Sequence, residues 1–173
     1  MKKRVLALVV VVALLGLLLP AIVFADTEIV ICTVSAYLVS LTVTDGDVAY
    51  GALVLGAAAN TTTADLDQTQ TVYNSGTVTE DFTIMSGDAY GTPEKTWDLV
   101  TTTPGYNEFK HEFSTTGGSS WTALPADNSY TTLAGPVAPA VTIILDLQLT
   151  MPSTTDDYVE HGIAVTVMAT EHT

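Results

Sequence analysis

The sequence predicts an all-β fold, a two-sheet β-sandwich of the jelly-roll or immunoglobulin-like kind, over residues 37–173. Three observations favour this class. After residue 25, lysine, arginine and glutamate are scarce while threonine, valine, tyrosine and glycine dominate. Two segments near the C-terminus alternate apolar and polar residues with a period of two. Turn-forming residues divide the remainder into short segments, and roughly nine or ten strands at this spacing are typical of a sandwich.

The clearest predicted strands lie near the C-terminus. In residues 140–151 the odd-numbered positions are apolar and the even-numbered ones are mostly polar, with Ile144 the exception. Pro152 ends this strand, because proline has no N–H group to donate to a ladder. Residues 162–170 repeat the pattern, so both strands indicate a sheet with one buried face. The residues expected to face inward are Val141, Ile143, Leu145, Leu147, Leu149 and Met151 in the first strand and Ile163, Val165, Val167 and Ala169 in the second.

Shorter strands are predicted where β-branched and aromatic residues lie between turn-forming residues. The predicted turns are Asp45-Gly46, Asn74-Ser75-Gly76, Ser86-Gly87-Asp88, Pro104-Gly105 and Gly117-Gly118. The predicted short strands are residues 48–55, 69–73, 79–85, 96–102, 108–114, 120–124 and 130–133.

The first 25 residues have the three parts of a secretory signal peptide. Residues 2–4 (Lys-Lys-Arg) form a positive segment, residues 5–19 are apolar, and residues 23–25 (Val-Phe-Ala) suit a signal peptidase. The apolar run is shorter than the roughly 20 residues of a membrane-spanning helix, although extending it to Phe24 gives the alternative of an uncleaved anchor. We therefore expect cleavage after Ala25, a secreted or cell-surface location, and no membrane association after processing.

Processing would leave a strongly acidic chain. Lys95 and Lys110 would remain against all nineteen acidic residues, a net charge of −17 before histidine is counted. Such a surface repels nucleic-acid phosphates and anionic lipid, so neither is expected as a partner. Cys32 is alone, which excludes an intrachain disulfide. We expect it to be a small buried hydrophobe, with an intermolecular disulfide as the alternative.

Residues 29–43 form an apolar, β-prone segment that is longer than the usual strand of 3–10 residues. Its alternation shifts by one residue near Ala36, which requires a bulge or a break there. One interpretation is two consecutive strands, or one bulged strand, within a single domain. The other is that residues 26–36 are an arm that completes the sheet of a neighbouring copy, a head-to-tail contact that builds a filament. The residues expected to take part in strand donation are Ile29, Val30, Ile31, Cys32 and Val34.

The sequence contains no catalytic constellation, and we predict that the protein is not an enzyme. His111, His161 and His172 are scattered, and there is neither a G-x-S-x-G elbow nor an H-E-x-x-H motif. Acidic pairs are expected in turns or on exposed strand faces, and we expect no cofactor. The alternative is that some of these oxygens hold Ca²⁺. The pairs are Asp45/Asp47, Asp65/Asp67, Glu80/Asp81 and Asp156/Asp157.

Three features bear on ligands or modification. Residues 114–121 resemble a degenerate Asp-box, the S-x-D-x-G-x-x-W hairpin of sialidase-type propellers, with Thr116 at the aspartate position; this predicts a tight hairpin with a packed tryptophan and no sialidase activity. Trp97 and Trp121 are candidates for a sugar-stacking platform, although widely spaced aromatic residues more often belong to the core. Asn60-Thr61-Thr62 is an N-glycosylation sequon, which predicts an exposed loop with Asn60 as the candidate acceptor.

The order of features resembles the secreted β-sandwich fibre proteins of the TasA/camelysin type. The matching pieces are residues 50–55 (Tyr-Gly-Ala-Leu-Val-Leu), 72–76 (Val-Tyr-Asn-Ser-Gly) and 81–84 (Asp-Phe-Thr-Ile), and the overlap covers residues 26–86. The resemblance implies a jelly-roll-like subunit that polymerises by N-terminal strand donation. The letters of a wall-binding Trp-x-Leu motif occur once, at residues 97–99, without the second copy that such domains use.

The sequence therefore predicts an exported structural subunit of an extracellular filament or surface layer, whose partners are copies of itself joined by N-terminal strand donation. The alternative is a secreted module that binds glycan or cell wall.

Overall fold

The computed structural model describes residues 33–91, 95–126 and 128–173. The chain divides into two compact units, Met1–Ser35 and Ala36–Thr173, and the fold given below is that of the second. The predicted signal peptide and residues 26–32 of the predicted arm, which include Ile29, Val30, Ile31 and Cys32, lie outside the described residues. In the first unit, Thr33, Val34 and Ser35 are exposed and belong to no strand, and Val34 is 98% exposed.

The described residues form ten β-strands and no helix, which confirms the all-β prediction. Consequently none of them belongs to a helix that could span a membrane. In chain order the strands are β1 (Leu41–Val43), β2 (Ala58–Asn60), β3 (Gln70–Asn74), β4 (Glu80–Gly91), β5 (Lys95–Val100), β6 (Glu108–Ser114), β7 (Thr122–Ala123), β8 (Thr131–Val137), β9 (Thr142–Thr150) and β10 (His161–Glu171).

Hydrogen bonds join these strands into one mixed sheet with the order β1-β3-β9-β6-β5-β4-β10. β2 pairs with β9, β7 with β6 and β8 with β4 beside this path. Only β5 and β6 run parallel; the other pairs that the structure describes are antiparallel. β5 pairs with β4 on one side and β6 on the other, so it links the strands around β9 to those around β4. β1 and β10 are the two ends of the order.

A single core lies behind the alternating faces of these strands. On β9, Leu145, Leu147 and Leu149 are buried, and on β4 so are Phe82 and Ile84, as a period of two requires. The predicted inward residues of β10 are half-buried and pack on this core. The remaining buried apolar members are Ala59, Val72, Ala89, Trp97, Leu99, Phe109, Phe113, Leu124, Leu133 and Val137.

Two details of the predicted β9 differ from the structure. Val141 precedes the strand and is 41% exposed, not inward-facing. Asp146, expected on the polar face, is only 1% exposed because the hydroxyl groups of Thr61 and Thr69 donate to its Oδ1 at 3.2 and 2.6 Å. The chain between β2 and β3 thus covers this face of the strand.

The strand predicted at residues 48–55 is wrong. Gly46, Gly51 and Gly56 all have positive φ angles, so residues 44–57 wind across the domain as an irregular segment. Its apolar residues still serve the core, since Val48, Tyr50 and Leu53 pack against it. The residues of the predicted Ser86-Gly87-Asp88 turn lie inside β4 instead, where a register shift of β10 between Ile163 and Val165 accommodates them.

Candidate functional site

An apolar groove lies between the two end strands of the domain. The groove has a volume of about 190 Å³. One wall is formed by β1 with the segment that follows it, and the other by β10, while β3 and β9 supply the floor. Its lining residues are Val43, Gly46, Val48, Gln70, Leu145, Leu147, Val165 and Val167.

Both walls of the groove are sheet edges. Among the described residues β1 pairs only with β3, and β10 pairs only with β4. β10 is eleven residues long and presents its second edge, with its backbone N–H and C=O groups, away from β4. A long unpaired edge beside apolar side chains is the geometry that an added strand completes.

One polar residue interrupts the apolar lining. Gln70 is 3% exposed and its amide is occupied within the domain. Its Oε1 accepts the Gly46 N–H at 2.9 Å, and its Nε2 donates to the Gln68 carbonyl at 3.0 Å. The groove therefore presents chiefly apolar side chains and the edges of two strands.

In the described part of the N-terminal apolar segment, residues 33–43, only the end forms a strand. Leu41–Val43 pairs with Val72, Tyr73 and Asn74 of the same domain. Residues 33–37 are exposed and lie outside any strand. The one-residue shift of the alternation near Ala36 therefore falls before the point where the chain joins its own sheet.

The three histidines have different surroundings. His111 is fully buried: its Nδ1 lies 3.1 Å from the Ser86 hydroxyl and its Nε2 lies 3.2 Å from the Tyr50 hydroxyl. Burial lowers the pKa of His111 to about 4 and raises the pKa of Tyr50 well above its usual range. Ser86 is also fully buried, so the hydroxyl–imidazole pair is enclosed within the domain. Sequence inspection missed this network, since its three residues are far apart in the chain.

His161 and His172 each contact one carboxylate. His172 Nδ1 lies 2.9 Å from Asp81 Oδ2 at the surface. His161 Nε2 lies 3.1 Å from Asp157 Oδ2 without hydrogen-bond alignment, and its Nδ1 lies 2.9 Å from the Val159 carbonyl. Each ring nitrogen of His161 therefore faces an oxygen atom, one from a carboxylate and one from the backbone.

The prediction that the acidic pairs lie in turns or on exposed strand faces is wrong for two of their residues. Glu80 is fully buried and Asp157 is 5% exposed, because each is held against another segment of the domain. Asp156 remains at the surface, where hydrogen bonds from Asn107 and Tyr106 lower its pKa. The bond between Tyr106 and Asp156 also raises the pKa of Tyr106. Within residues 33–91, 95–126 and 128–173, no three His, Cys, Asp or Glu side chains are grouped to hold a metal ion.

The two tryptophans differ in exposure. Trp97 is 6% exposed and stacks on His161 with ring centroids 3.8 Å apart. Trp121 is half-buried, and a β-carbon built at Gly118 would lie 3.3 Å from its ring. In this Asp-box-like hairpin, Thr116 Oγ1 takes the place of the aspartate and accepts the Ser120 N–H at 3.2 Å.

The sequon is not in an exposed loop. Asn60 is the last residue of β2, is half-buried, and pairs with Gln148 of β9. Its Oδ1 accepts hydrogen bonds from the backbone N–H and the hydroxyl of Thr62 at 3.2 and 2.6 Å. The turn that follows β2 is therefore built partly by the candidate acceptor residue itself.

Comparison with known proteins does not extend this account: neither the family models, nor the curated proteins, nor the solved structures contain a match to the chain.

Proposed function

We propose that the chain is an exported structural subunit of an extracellular filament or surface layer, and that subunits join when the arm of one copy, residues 26–36, enters the groove between β1 and β10 of the next. The observation that carries the proposal is the groove itself, an apolar cleft between two sheet edges that no other described strand covers. Ile29, Val30, Ile31, Cys32 and Val34 are the residues of the arm that would fill it.

The chemistry of groove and arm is matched. The groove walls carry Val43, Val165 and Val167, and the arm is a run of β-branched and apolar residues. An extended strand of this kind hydrogen-bonds to both edges through its backbone, while alternate side chains enter the cleft. The donor and acceptor surfaces differ, so each copy uses both and the contact propagates head to tail.

We further infer that the strands stack as two layers of a jelly-roll or immunoglobulin-like sandwich. In this arrangement β1, β2, β3, β6, β7 and β9 form one layer, β4, β8 and β10 form the other, and β5 connects them. The support is the core itself, in which Val72 and Leu145 of the first group cluster with Phe82 and Leu133 of the second. The groove is then the gap between the layers at their open side.

The decisive experiment compares the mature chain, residues 26–173, with a version that begins at residue 36. The shorter chain retains all ten described strands and the core, since these lie within Ala36–Thr173. We expect ordered polymers of the longer chain in negative-stain microscopy and a monomer of the shorter one in sedimentation. A labelled peptide of residues 26–36 should bind the shorter chain one to one and the longer polymer weakly.

Two results would overturn the proposal. One is a mature chain that stays monomeric at every concentration and salt tested; the other is a shorter chain that polymerises equally well. A glycan- or wall-binding module, the alternative, predicts the monomer together with binding to glycan arrays. The burial of Trp97 removes one of the two rings expected to support that function.

A further inference from the structure

A buried carboxylate holds the chain where it first joins the sheet. Glu80 is the first residue of β4 and is fully buried, opposite Glu171 of β10 and Val137 of β8. Its side chain reaches to the other end of the strand order, where Oε1 accepts the backbone N–H of Ser40 at 2.8 Å. Glu80 therefore connects β4 to the residue that directly precedes β1.

The position is costly for a carboxylate, which indicates that it has a specific task. Among the described residues Glu80 Oε2 has no hydrogen-bond partner, although the atom is buried. The two lysines of the domain are engaged elsewhere, Lys95 with Asp156 and Lys110 with Glu112. If the side chain of Glu80 only had to fill this space, an apolar side chain of similar size would suffice.

The neighbouring hydrogen bonds reinforce the same segment. The Ser40 carbonyl accepts the Ser75 N–H at 3.0 Å. Leu38 and Thr77 exchange two bonds of 2.9 Å, from the Leu38 N–H to the Thr77 hydroxyl and from the Thr77 N–H to the Leu38 carbonyl. Residues 38–40 are thereby fixed to the turn between β3 and β4, although they belong to no strand. Tyr37, one residue earlier, is 61% exposed.

Gly76 is required for this arrangement. A β-carbon at Gly76 would collide with Glu80 Oε1 and with the Leu38 carbonyl oxygen. The turn residue, the carboxylate and the start of the N-terminal segment are thus in mutual contact, and we call Leu38, Ser40, Gly76, Thr77 and Glu80 the N-terminal clamp.

We propose that Glu80 is a positioning residue that sets the boundary between the strand a subunit keeps and the strand it donates. This inference rests on the proposed function. The apolar, β-prone run of residues 29–43 contains no proline or glycine, and the shift of its alternation near Ala36 allows a bulge as well as a break, so its sequence alone leaves open how much of it leaves with the arm. By holding Ser40, the clamp keeps residues 38–43 in their own domain and leaves residues 26–36 to be donated in one register.

The test replaces Glu80 in the mature chain and measures the boundary directly. In Glu80→Met the side-chain volume is nearly kept and the acceptor is lost; in Glu80→Gln the acceptor Oε1 is kept. By hydrogen exchange we expect amides of residues 38–43 to exchange at least tenfold faster in Glu80→Met and within about twofold of wild type in Glu80→Gln. Glu171→Gln removes an exposed carboxylate opposite Glu80 and should change nothing.

A general loss of stability is distinguished by a second control. Leu124 is fully buried and is not part of the clamp, so Leu124→Ala should lower the global stability without selectively exposing residues 38–43. If Glu80→Met does not fold, Gly76→Ala displaces the same carboxylate while leaving it present, and should give the same local loss of protection.

Assembly provides the functional readout. We expect Glu80→Met to elongate wild-type filament seeds at least fivefold more slowly, because its arm enters the groove in several registers, and Glu80→Gln to restore the rate. Unchanged exchange of residues 38–43 in both Glu80→Met and Gly76→Ala refutes the clamp. Faster exchange with a normal elongation rate refutes its role in setting the boundary. Wild-type protein that never polymerises refutes the proposed function while the exchange result still decides the clamp.

Discussion

Val43 on β1 and Val167 on β10 line the same groove from opposite walls, although the strands that carry them are the two ends of the sheet order. Val43 is 37% exposed, and Val167 is half-buried against the core. A cleft of this kind exposes apolar side chains and unpaired backbone groups together, and both are satisfied when one further strand is added.

A charge placed in the groove should block assembly without unfolding the domain. Val167→Asp puts a carboxylate among apolar side chains, where an unpaired charge is unfavourable. We expect its self-assembly to fall at least tenfold by sedimentation. Because Val167 also packs against the core, the domain should be less stable than wild type, but its circular dichroism spectrum should still be that of the folded protein. Thr166→Asp adds the same charge to the exposed face of β10 and should assemble normally.

Mixing two defective chains tests the direction of the contact. Val167→Asp retains an arm but has an impaired groove, and the chain that begins at residue 36 has a groove but no arm. Each alone should be a monomer, while the mixture should form one-to-one complexes in sedimentation. Equal loss of assembly in Thr166→Asp, or no complex in the mixture, would count against the groove as the acceptor.

Local periodicity predicted several strands closely, although it placed one at residues 48–55 where none forms and missed β2. The groove depended on contacts that periodicity does not contain. β6 has the predicted bounds of residues 108–114, and β9 and β10 begin and end within two residues of their predictions. The groove takes its lining from β1, β3, β9, β10 and the segment after β1, so only long-range pairing brings these residues together. The burial of Asp146 and Glu80 escaped prediction for the same reason: each is covered by a segment distant in the chain.

Acid should weaken the domain through His111. The folded-state pKa of about 4 lies below the ordinary value of 6.5, so the unfolded chain binds the proton more readily. This contribution to stability is complete above pH 6.5 and is lost as the pH falls toward 4, by about 3 kcal/mol. His111→Gln keeps partners for the hydroxyls of Ser86 and Tyr50 but does not titrate. We expect the free energy of unfolding of wild type, measured with urea, to fall relative to that of His111→Gln as the pH is lowered from 6.5 toward 4. A difference between the two proteins that stays constant over this range contradicts the prediction.

The Asp-box-like hairpin should be sensitive to a methyl group at one glycine. Gly118 has a φ of +79°, and a β-carbon there would lie 2.8 Å from Thr62 Cγ2. We expect Gly118→Ala to cost about 2 kcal/mol or more, because strain from the left-handed conformation adds to the collision. Gly117 also has a positive φ, but a β-carbon there would meet no atom within 4 Å, so Gly117→Ala should cost about 1 kcal/mol. Gly162 has neither a positive φ nor a close neighbour, so Gly162→Ala should be neutral within about 0.5 kcal/mol. Denaturation followed by tryptophan fluorescence gives the ranking, and equal effects at all three glycines contradict it.

Salt should accelerate assembly, because the arm must bring together two chains that each carry a net charge of −17 after the expected processing. Raising the ionic strength from about 0.1 M to 1 M shortens the Debye length from about 10 Å to about 3 Å, so repulsion between subunits is screened while apolar contacts in the groove are retained. We expect the elongation rate, followed by light scattering, to rise several-fold over this range. Substituting exposed carboxylates, as in Asp67→Asn with Glu160→Gln, should raise the rate at low salt and reduce its dependence on salt.

Comparing NaCl with CaCl₂ at equal ionic strength separates general screening from cation binding. Equal rates indicate screening, and a faster rate in CaCl₂ indicates that the acidic turns hold the ion. Assembly that slows as NaCl is added would mean that charge attraction, not strand insertion into an apolar groove, joins the subunits.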